Sequence, residues 1–211
     1  MNVMSAISRK ADFPGLVTSA GAPWHYLDSA ATAQKPQTVV DAVTKAIGAD
    51  YATVHRGVYT RSAEMTLGYE AARRWVAAFV GGRDDELVFT RGATEAINLV
   101  AQTWGRANLG PGDLIINTVL DHHSNLVPWQ LLAKQTGART AYVPIRADGQ
   151  LDLQEFEALL AQGPKLVAFS HVSNVLGSVL DARRAAELAH GVGAKLLLDG
   201  CQAVPRLPVG P

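Results

Sequence analysis

Hydrophobic and polar positions follow two patterns along the chain, a helical repeat and short continuous apolar runs. In segment 36–51, apolar residues recur every three or four positions, which predicts a helix. A second helix is predicted within 63–82, where a pair of glycines supplies the signal that ends it. Residues 1–80 contain no clear strand pattern. We therefore expect them to form a helical segment that wraps the main domain or contributes to a smaller lobe.

From residue 81 onward, short apolar runs alternate with helical patterns. Asp152 is expected to cap one of these helices, with Glu155 three residues later as its capping-box partner. Strands separated by single helices and short turns indicate an α/β fold with a mainly parallel sheet and flanking helices over 81–211. The predicted strands are 86–90, 113–119, 139–145, 165–172 and 194–200, and the predicted helices between them are 94–105, 126–136, 152–162 and 181–190.

The composition of the chain argues against nucleic-acid-binding, disulfide-bonded and membrane-spanning proteins. The 211 residues carry 19 basic and 19 acidic side chains, so the net charge of zero gives no electrostatic reason to expect nucleic acid or an anionic membrane as partner. Charged residues make up 18% of the chain, below the roughly 25% of an average soluble domain, which suggests surface buried in a subunit interface. A single cysteine excludes a disulfide within the chain. With no apolar run of membrane-spanning length, we expect a soluble cytoplasmic protein.

Groups able to bond a ligand follow four of the predicted strands. The sequences are TRGATEAIN, LDHHSN, HVSN and DGCQ, and each comes directly after an apolar run. In open α/β sheets, ligands bind beyond the carboxyl ends of the strands. We therefore expect a binding site where these four segments meet.

The GATE sequence allows two interpretations. Gly92 and Ala93 permit close approach to the backbone, and Thr94 stands where a helix is predicted to begin. The free N–H groups of a helix start, a hydroxyl and the helix dipole together suit a phosphate group. An ordinary threonine N-cap would give the same sequence, so both interpretations stay open.

The DHHSN sequence could suggest a metal site formed by Asp121, His122 and His123. Neighbouring side chains of an extended segment point to opposite faces, so only one of the two histidines is expected to face the site. We therefore predict no bound metal. A flat imidazole at a strand end would instead suit stacking on a planar ligand.

Asp199 follows the apolar run LLL and stands two residues before Cys201, the only cysteine of the chain. A carboxylate at this position either caps a helix or meets a buried cation. The protonated ring nitrogen of pyridoxal phosphate is such a cation, and an aspartate is its usual partner. A phosphate cradle, an imidazole and this carboxylate, in that order along the chain, favour pyridoxal phosphate as cofactor.

The chain resembles the N-terminal half of class V aminotransferase-fold cysteine desulfurases, of the group that serves iron–sulfur cluster assembly under stress. This likeness implies the large domain of a fold-type I transferase that depends on pyridoxal phosphate, and it extends from about residue 11 to residue 205. The matching stretches are YLDSAATAQKP, VHRGVYTRSAE, ELVFTRGATEAINLVAQTWG, DHHSNLVPWQ, HVSNVLGSV and LLLDGCQAV.

The resemblance also implies roles for individual residues in the earlier segments of the chain. Ala93 and Thr94 would bind the cofactor phosphate through a backbone N–H and a hydroxyl. His122 would stack on the pyridine ring and take part in catalysis by handling protons. His55 and Arg56 would lie near the entrance to the site of a dimer partner.

Further roles fall on residues that follow the later strands. By resemblance, Asn174 would lie near the ring hydroxyl and the substrate carboxylate, Asp199 would pair with the ring nitrogen, and Gln202 would bond the ring oxygen. Cys201 stands where the family usually has a small residue. We expect it to be a buried packing residue and not the catalytic thiol.

The reaction implied by this resemblance is removal of sulfur from L-cysteine as a persulfide, with release of L-alanine. The complete protein would be a homodimer that passes sulfur to an acceptor protein. Selenocysteine lyase, acting on L-selenocysteine, and other class V enzymes share these motifs and remain alternatives. A non-catalytic truncated fragment is an alternative of a different class.

The lysine stretch and nucleophilic cysteine loop of the family have no counterpart in the 211 residues. Lys195 is the nearest lysine to Asp199, yet four strand residues would separate them by roughly 13 Å, so we do not expect it to substitute. By resemblance, two strands of the sheet would also be absent. We expect a truncated or partly sequenced desulfurase with unpaired sheet edges.

Overall fold

The first part of the chain, up to Leu87, forms a unit whose long elements are helices. In this computed structural model, which describes residues 9–208, α1 spans Gln37–Ile47 and α2 spans Thr60–Phe79. Both predicted helices are therefore confirmed. Short 3-10 turns lie at Lys10–Asp12, Pro14–Leu16 and Asp84–Glu86.

The second unit, from Val88 onward, is a four-stranded sheet with helices in its connections. A π-helical turn at Ala101–Gly105 joins its first two helices. The strands are β1 (Leu114–Thr118), β2 (Arg139–Val143), β3 (Leu166–Ser170) and β4 (Lys195–Asp199). The helices are α3 (Ala93–Val100), α4 (Arg106–Asn108), α5 (Val127–Thr136), α6 (Leu153–Leu160) and α7 (Ala182–Gly191).

The four strands lie in the order β2-β1-β3-β4, and every pair is parallel. Successive residues of a strand point to opposite faces, so β1 contributes to two hydrophobic clusters. Ile116 packs in one cluster with Phe156, and Ile115 packs in the other with Trp129 and Leu132. The predicted α/β class with a parallel sheet and flanking helices is confirmed.

Residues 86–90 do not form the predicted strand. Asp84–Glu86 is a 3-10 turn, and the carbonyl of Leu87 accepts a hydrogen bond from Arg73 Nη1 at 2.5 Å. Val88 is 67% exposed. An apolar run becomes a strand only where a neighbouring strand receives its backbone hydrogen bonds, and the sheet of the described residues does not include this segment.

Asp152 caps α6, as predicted. Its Oδ1 accepts hydrogen bonds from the backbone N–H groups of Gln154 and Glu155 at 3.1 and 3.2 Å. The expected return bond from the Glu155 side chain is not made, because the Asp152 N–H donates to the carbonyl of Pro144 at 3.0 Å. Only half of the predicted capping box is present.

Within residues 9–208, no helix combines the length and the hydrophobicity needed to span a membrane.

Candidate functional site

The carboxyl ends of β1, β3 and β4 are joined by hydrogen bonds. Asp121 Oδ2 accepts from the Thr118 N–H at 2.7 Å, and its Oδ1 accepts from the Ser170 N–H at 2.6 Å. Ser170 is in register with Asp199, whose carbonyl accepts from the His171 N–H at 3.0 Å. The segments that follow these three strands therefore meet at one edge of the sheet. They are three of the four segments that the sequence predicts to meet, because TRGATEAIN does not follow a strand of this sheet.

Asp121 is a buried structural carboxylate, only 6% exposed. Burial raises the pKa of Asp121 above its usual range, and the N–H donors of Thr118 and Ser170 partly oppose that rise. Both carboxylate oxygens already accept hydrogen bonds, so this side chain is not oriented as a metal ligand. In the part of the chain that the structure describes, no three His, Cys, Asp or Glu side chains are grouped to hold a metal ion.

Two buried asparagines extend this polar network below the strand ends. Asn125 Nδ2 donates to Asp121 Oδ1 at 3.3 Å, and its Oδ1 accepts from Trp129 Nε1 at 3.0 Å. Asn117 Nδ2 donates to the carbonyls of Asn125 and Ala168, both at 2.9 Å. Sequence reasoning did not find this network. The signal available was an asparagine inside each of two apolar stretches, LIINTV and SNLVPW.

His122, His123 and Asn174 line one cavity of about 510 Å³. The two imidazole rings lie 6.0 Å apart. The segment turns into a 3-10 helix at His123–Asn125 and does not stay extended, so both histidines line this cavity. That only one of them faces a bound ligand stays a prediction. The structure brings two of the predicted site residues, His122 and Asn174, to the same cavity.

The start of α3 is open in front of its first turn. Gly92 is the N-cap, and nothing lies within 4 Å of the position that a Cβ on it would occupy. The alternative that Thr94 is an ordinary N-cap is wrong, because the helix already begins at Ala93. Ala93 and Thr94 are not among the residues that line the His122 cavity, although α3 packs against the His123–Asn125 turn.

Asp199 is 9% exposed at the end of β4, and its Oδ1 accepts the Cys201 N–H at 2.9 Å. The neighbouring Gln202 is half-buried.

The expectation that Cys201 is buried is wrong, since it lies exposed in the turn after β4. Partial desolvation of the thiol and then the charge of Asp199 raise the pKa of Cys201, which disfavours a reactive thiolate. Lys195 lies exposed at the opposite end of β4.

His55 belongs to the first unit and has a left-handed backbone, with φ of 67°. Its Nε2 lies 3.1 Å from Glu70 Oε1, its ring meets Tyr69 edge-on with centroids 5.6 Å apart, and its N–H donates to Thr66 Oγ1 at 2.9 Å. These contacts hold an uncommon conformation for a residue other than glycine. The adjacent Arg56 is exposed.

Comparison with protein families matches residues 25–210 to the aminotransferase class-V family. A probable cysteine desulfurase of Synechocystis sp. is 48% identical over 206 residues, which are 97% of this chain and 49% of that protein. The cysteine desulfurase of Escherichia coli K12 is 45% identical over 209 residues, which are 98% of this chain and 52% of that protein. The chain thus spans about half the length of the curated relatives it matches.

Solved structures agree with this comparison. The E. coli cysteine desulfurase CsdA superposes with a TM-score of 0.83 at 40% identity, covering 95% of this chain and 49% of its own. The apo cysteine desulfurase of Thermococcus onnurineus NA1 gives 0.81 at 35% identity, covering 90% of this chain and 46% of its own.

Proposed function

Because this chain belongs to the aminotransferase class-V family, we propose that it carries the cofactor site of a pyridoxal-phosphate-dependent cysteine desulfurase. In this reaction the C–S bond of L-cysteine breaks, the sulfur passes to a thiol as a persulfide, and L-alanine remains. The observation that carries the proposal is 48% identity to a probable cysteine desulfurase over 97% of the chain.

The residues at the strand ends are chemically suited to pyridoxal phosphate. The open start of α3 at Gly92 would offer Ala93 and Thr94 to an anionic phosphate, through a backbone N–H and the threonine hydroxyl. The buried carboxylate of Asp199 suits a protonated ring nitrogen. His122 contributes an aromatic ring that can stack on a planar ligand.

When bound, the cofactor would supply an electron-withdrawing ring to the amino-acid substrate. The negative charge of Asp199 would hold the ring nitrogen protonated. Gln202 would bond the ring oxygen, and Asn174 would orient the ring hydroxyl and the substrate carboxylate through its amide. His122 would stack on the ring and move protons at the substrate carbon.

The quaternary arrangement and the cellular role belong to the same proposal. A homodimer is supported by the low charged fraction of 18% and by exposed apolar side chains such as Ile47 and Trp75. His55 and Arg56 would lie near the entrance to the partner's site, with residues 1–80 contributing to the small lobe and 81–211 forming the cofactor-binding part. The complete enzyme would work in the cytoplasm, giving sulfur to an acceptor protein for iron–sulfur cluster assembly.

A chimaeric enzyme tests the reaction. Residues 25–210, which match the family, would replace the corresponding segment of the E. coli cysteine desulfurase that is 45% identical. With pyridoxal phosphate and a thiol reductant, we expect L-cysteine to yield L-alanine and sulfide in equal amounts. A folded chimaera that binds the cofactor yet forms no alanine, or that consumes only L-selenocysteine, would contradict the proposal.

A further inference from the structure

His122 lies in a short segment that is anchored on both sides. Before it, the Asp121 carboxylate holds the ends of β1 and β3 through two N–H groups. After it, Asn125 is buried, and the Asn125 N–H donates to the His122 carbonyl at 2.7 Å. The backbone at His122 is therefore fixed, and the orientation of its ring depends on local side-chain contacts.

The ring contact is with Ser124. The Ser124 backbone N–H donates to His122 Nδ1 at 3.2 Å, and the Ser124 hydroxyl lies 2.8 Å from the same nitrogen. A backbone N–H can only donate, so Nδ1 must present its lone pair, and the hydroxyl must also act as a donor toward it. In a neutral imidazole the single proton then resides on Nε2.

From these contacts we infer that Ser124 is a positioning residue that fixes the tautomer of His122 with the proton on Nε2. The ring therefore carries its hydrogen-bond donor on the side away from Ser124, and His122 is one of the residues that line the cavity with Asn174. The ligand atom that meets Nε2 is an acceptor, such as a carboxylate or phenolate oxygen. Nε2 already carries the ring proton, so it can accept another only after that proton has moved to Nδ1, which requires the Ser124 contacts to break. This inference deepens the proposed function and rests on it for the identity of the ligand.

Nitrogen-15 NMR of histidine-labelled full chain reports the tautomer directly, without cofactor. His122→Gln assigns the signal. We expect an unprotonated Nδ1 and a protonated Nε2 in the wild-type chain at a pH where the ring is neutral. In Ser124→Ala the backbone donor remains and the hydroxyl donor is lost, so the ratio of the Nδ1–H to the Nε2–H form should rise about fivefold, the equivalent of one hydrogen bond of about 1 kcal/mol.

Ser178→Ala is the matched control, because its hydroxyl donates to the Gly149 carbonyl and its loss should leave the His122 tautomer unchanged. A proton on Nδ1 in the wild-type chain overturns the inference, as does an unchanged ratio in Ser124→Ala. Since the readout needs no cofactor, it is independent of whether the chain binds pyridoxal phosphate. Failure of the proposed function and failure of this inference are therefore distinguishable.

Discussion

Two carboxylates at the strand ends have different partners. Asp121 accepts backbone N–H groups with both oxygens and connects β1 to β3, whereas Asp199 accepts the N–H of Cys201 with Oδ1 at the end of β4. The position of Asp199 was predictable, because an acidic residue ends an apolar run in the sequence. The role of Asp121 was not, because one of its donors, Ser170, is 49 residues away along the chain.

Asp121→Asn should destabilise the fold by about 1–3 kcal/mol, because an amide NH₂ would then face a buried backbone N–H. The effect should also depend on pH. Burial raises the pKa of Asp121 in the folded state, so the folded state binds this proton more tightly than the unfolded state. The contribution of Asp121 to stability is complete below its ordinary pKa and is lost as pH rises through the raised value.

Urea unfolding of the wild-type chain and the variant at several pH values measures this effect. The advantage of the wild-type chain over Asp121→Asn should shrink as pH rises from about 4 through the raised pKa. An advantage that grows over the same interval would mean that the hydrogen bonds outweigh burial and that the pKa is lowered.

At the scale of elements, α3 continues through a π-helical turn into α4. The sequence predicts a helix over 94–105 from its apolar period, and this helix is present. The π-turn was not predictable from that period, because the turn packs against α5, a separate element of the chain. A Cβ on Gly105, in this turn, would lie 2.5 Å from Leu132 Cδ2 of α5. Gly105 therefore permits close approach of α5.

Gly105→Ala should lower the free energy of unfolding by up to about 2 kcal/mol, because the cost of an overpacked core, about 1–3 kcal/mol, is partly offset by the gain of alanine over glycine in a helix. Gly68→Ala in α2 is the control, since nothing lies within 4 Å of its added Cβ and alanine favours a helix interior over glycine by about 1 kcal/mol. Thermal unfolding of both variants tests this. Equal stabilisation by the two substitutions would show that Gly105 does not lie against Leu132.

A feature could be predicted from sequence when neighbouring residues determine it, and could not when it depends on contacts with distant residues. Helices and buried strands were found where the local sequence alone determines them, as in the apolar run of β1 and the alanine-rich segment of α7. The run at 86–90 was mistaken for a strand, because strand formation needs a neighbour that the run itself does not specify. In the site, the sequence located His122 and Asn174 at strand ends, but the turn that brings His123 beside His122 depends on the buried contacts of Asn125.

At the scale of the whole molecule, β4 is an edge of the sheet within residues 9–208, because its neighbour there is β3 alone. Leu198 of β4 is 36% exposed. Exposed strand edges with apolar side chains pair readily with other chains. The relatives are about twice as long as this chain.

The full chain should therefore self-associate, with a mass in light scattering that rises with concentration. Leu198→Lys should reduce the association several-fold, because a charge on an edge strand opposes pairing. Val58→Lys adds the same charge at an exposed valine outside any strand and should have little effect. A mass that stays monomeric at every concentration would contradict this expectation.

Equilibrium titration of pyridoxal phosphate into the full chain tests most directly the proposal that the strand ends hold this cofactor through Asp199. We predict saturable binding that Asp199→Asn weakens about tenfold or more, the loss expected for a charge-assisted hydrogen bond of about 1.5–3 kcal/mol. Asp148→Asn, which removes an exposed carboxylate paired with Arg146, should leave the affinity unchanged. Absence of binding, or equal affinity in the wild-type chain and Asp199→Asn, would contradict the account.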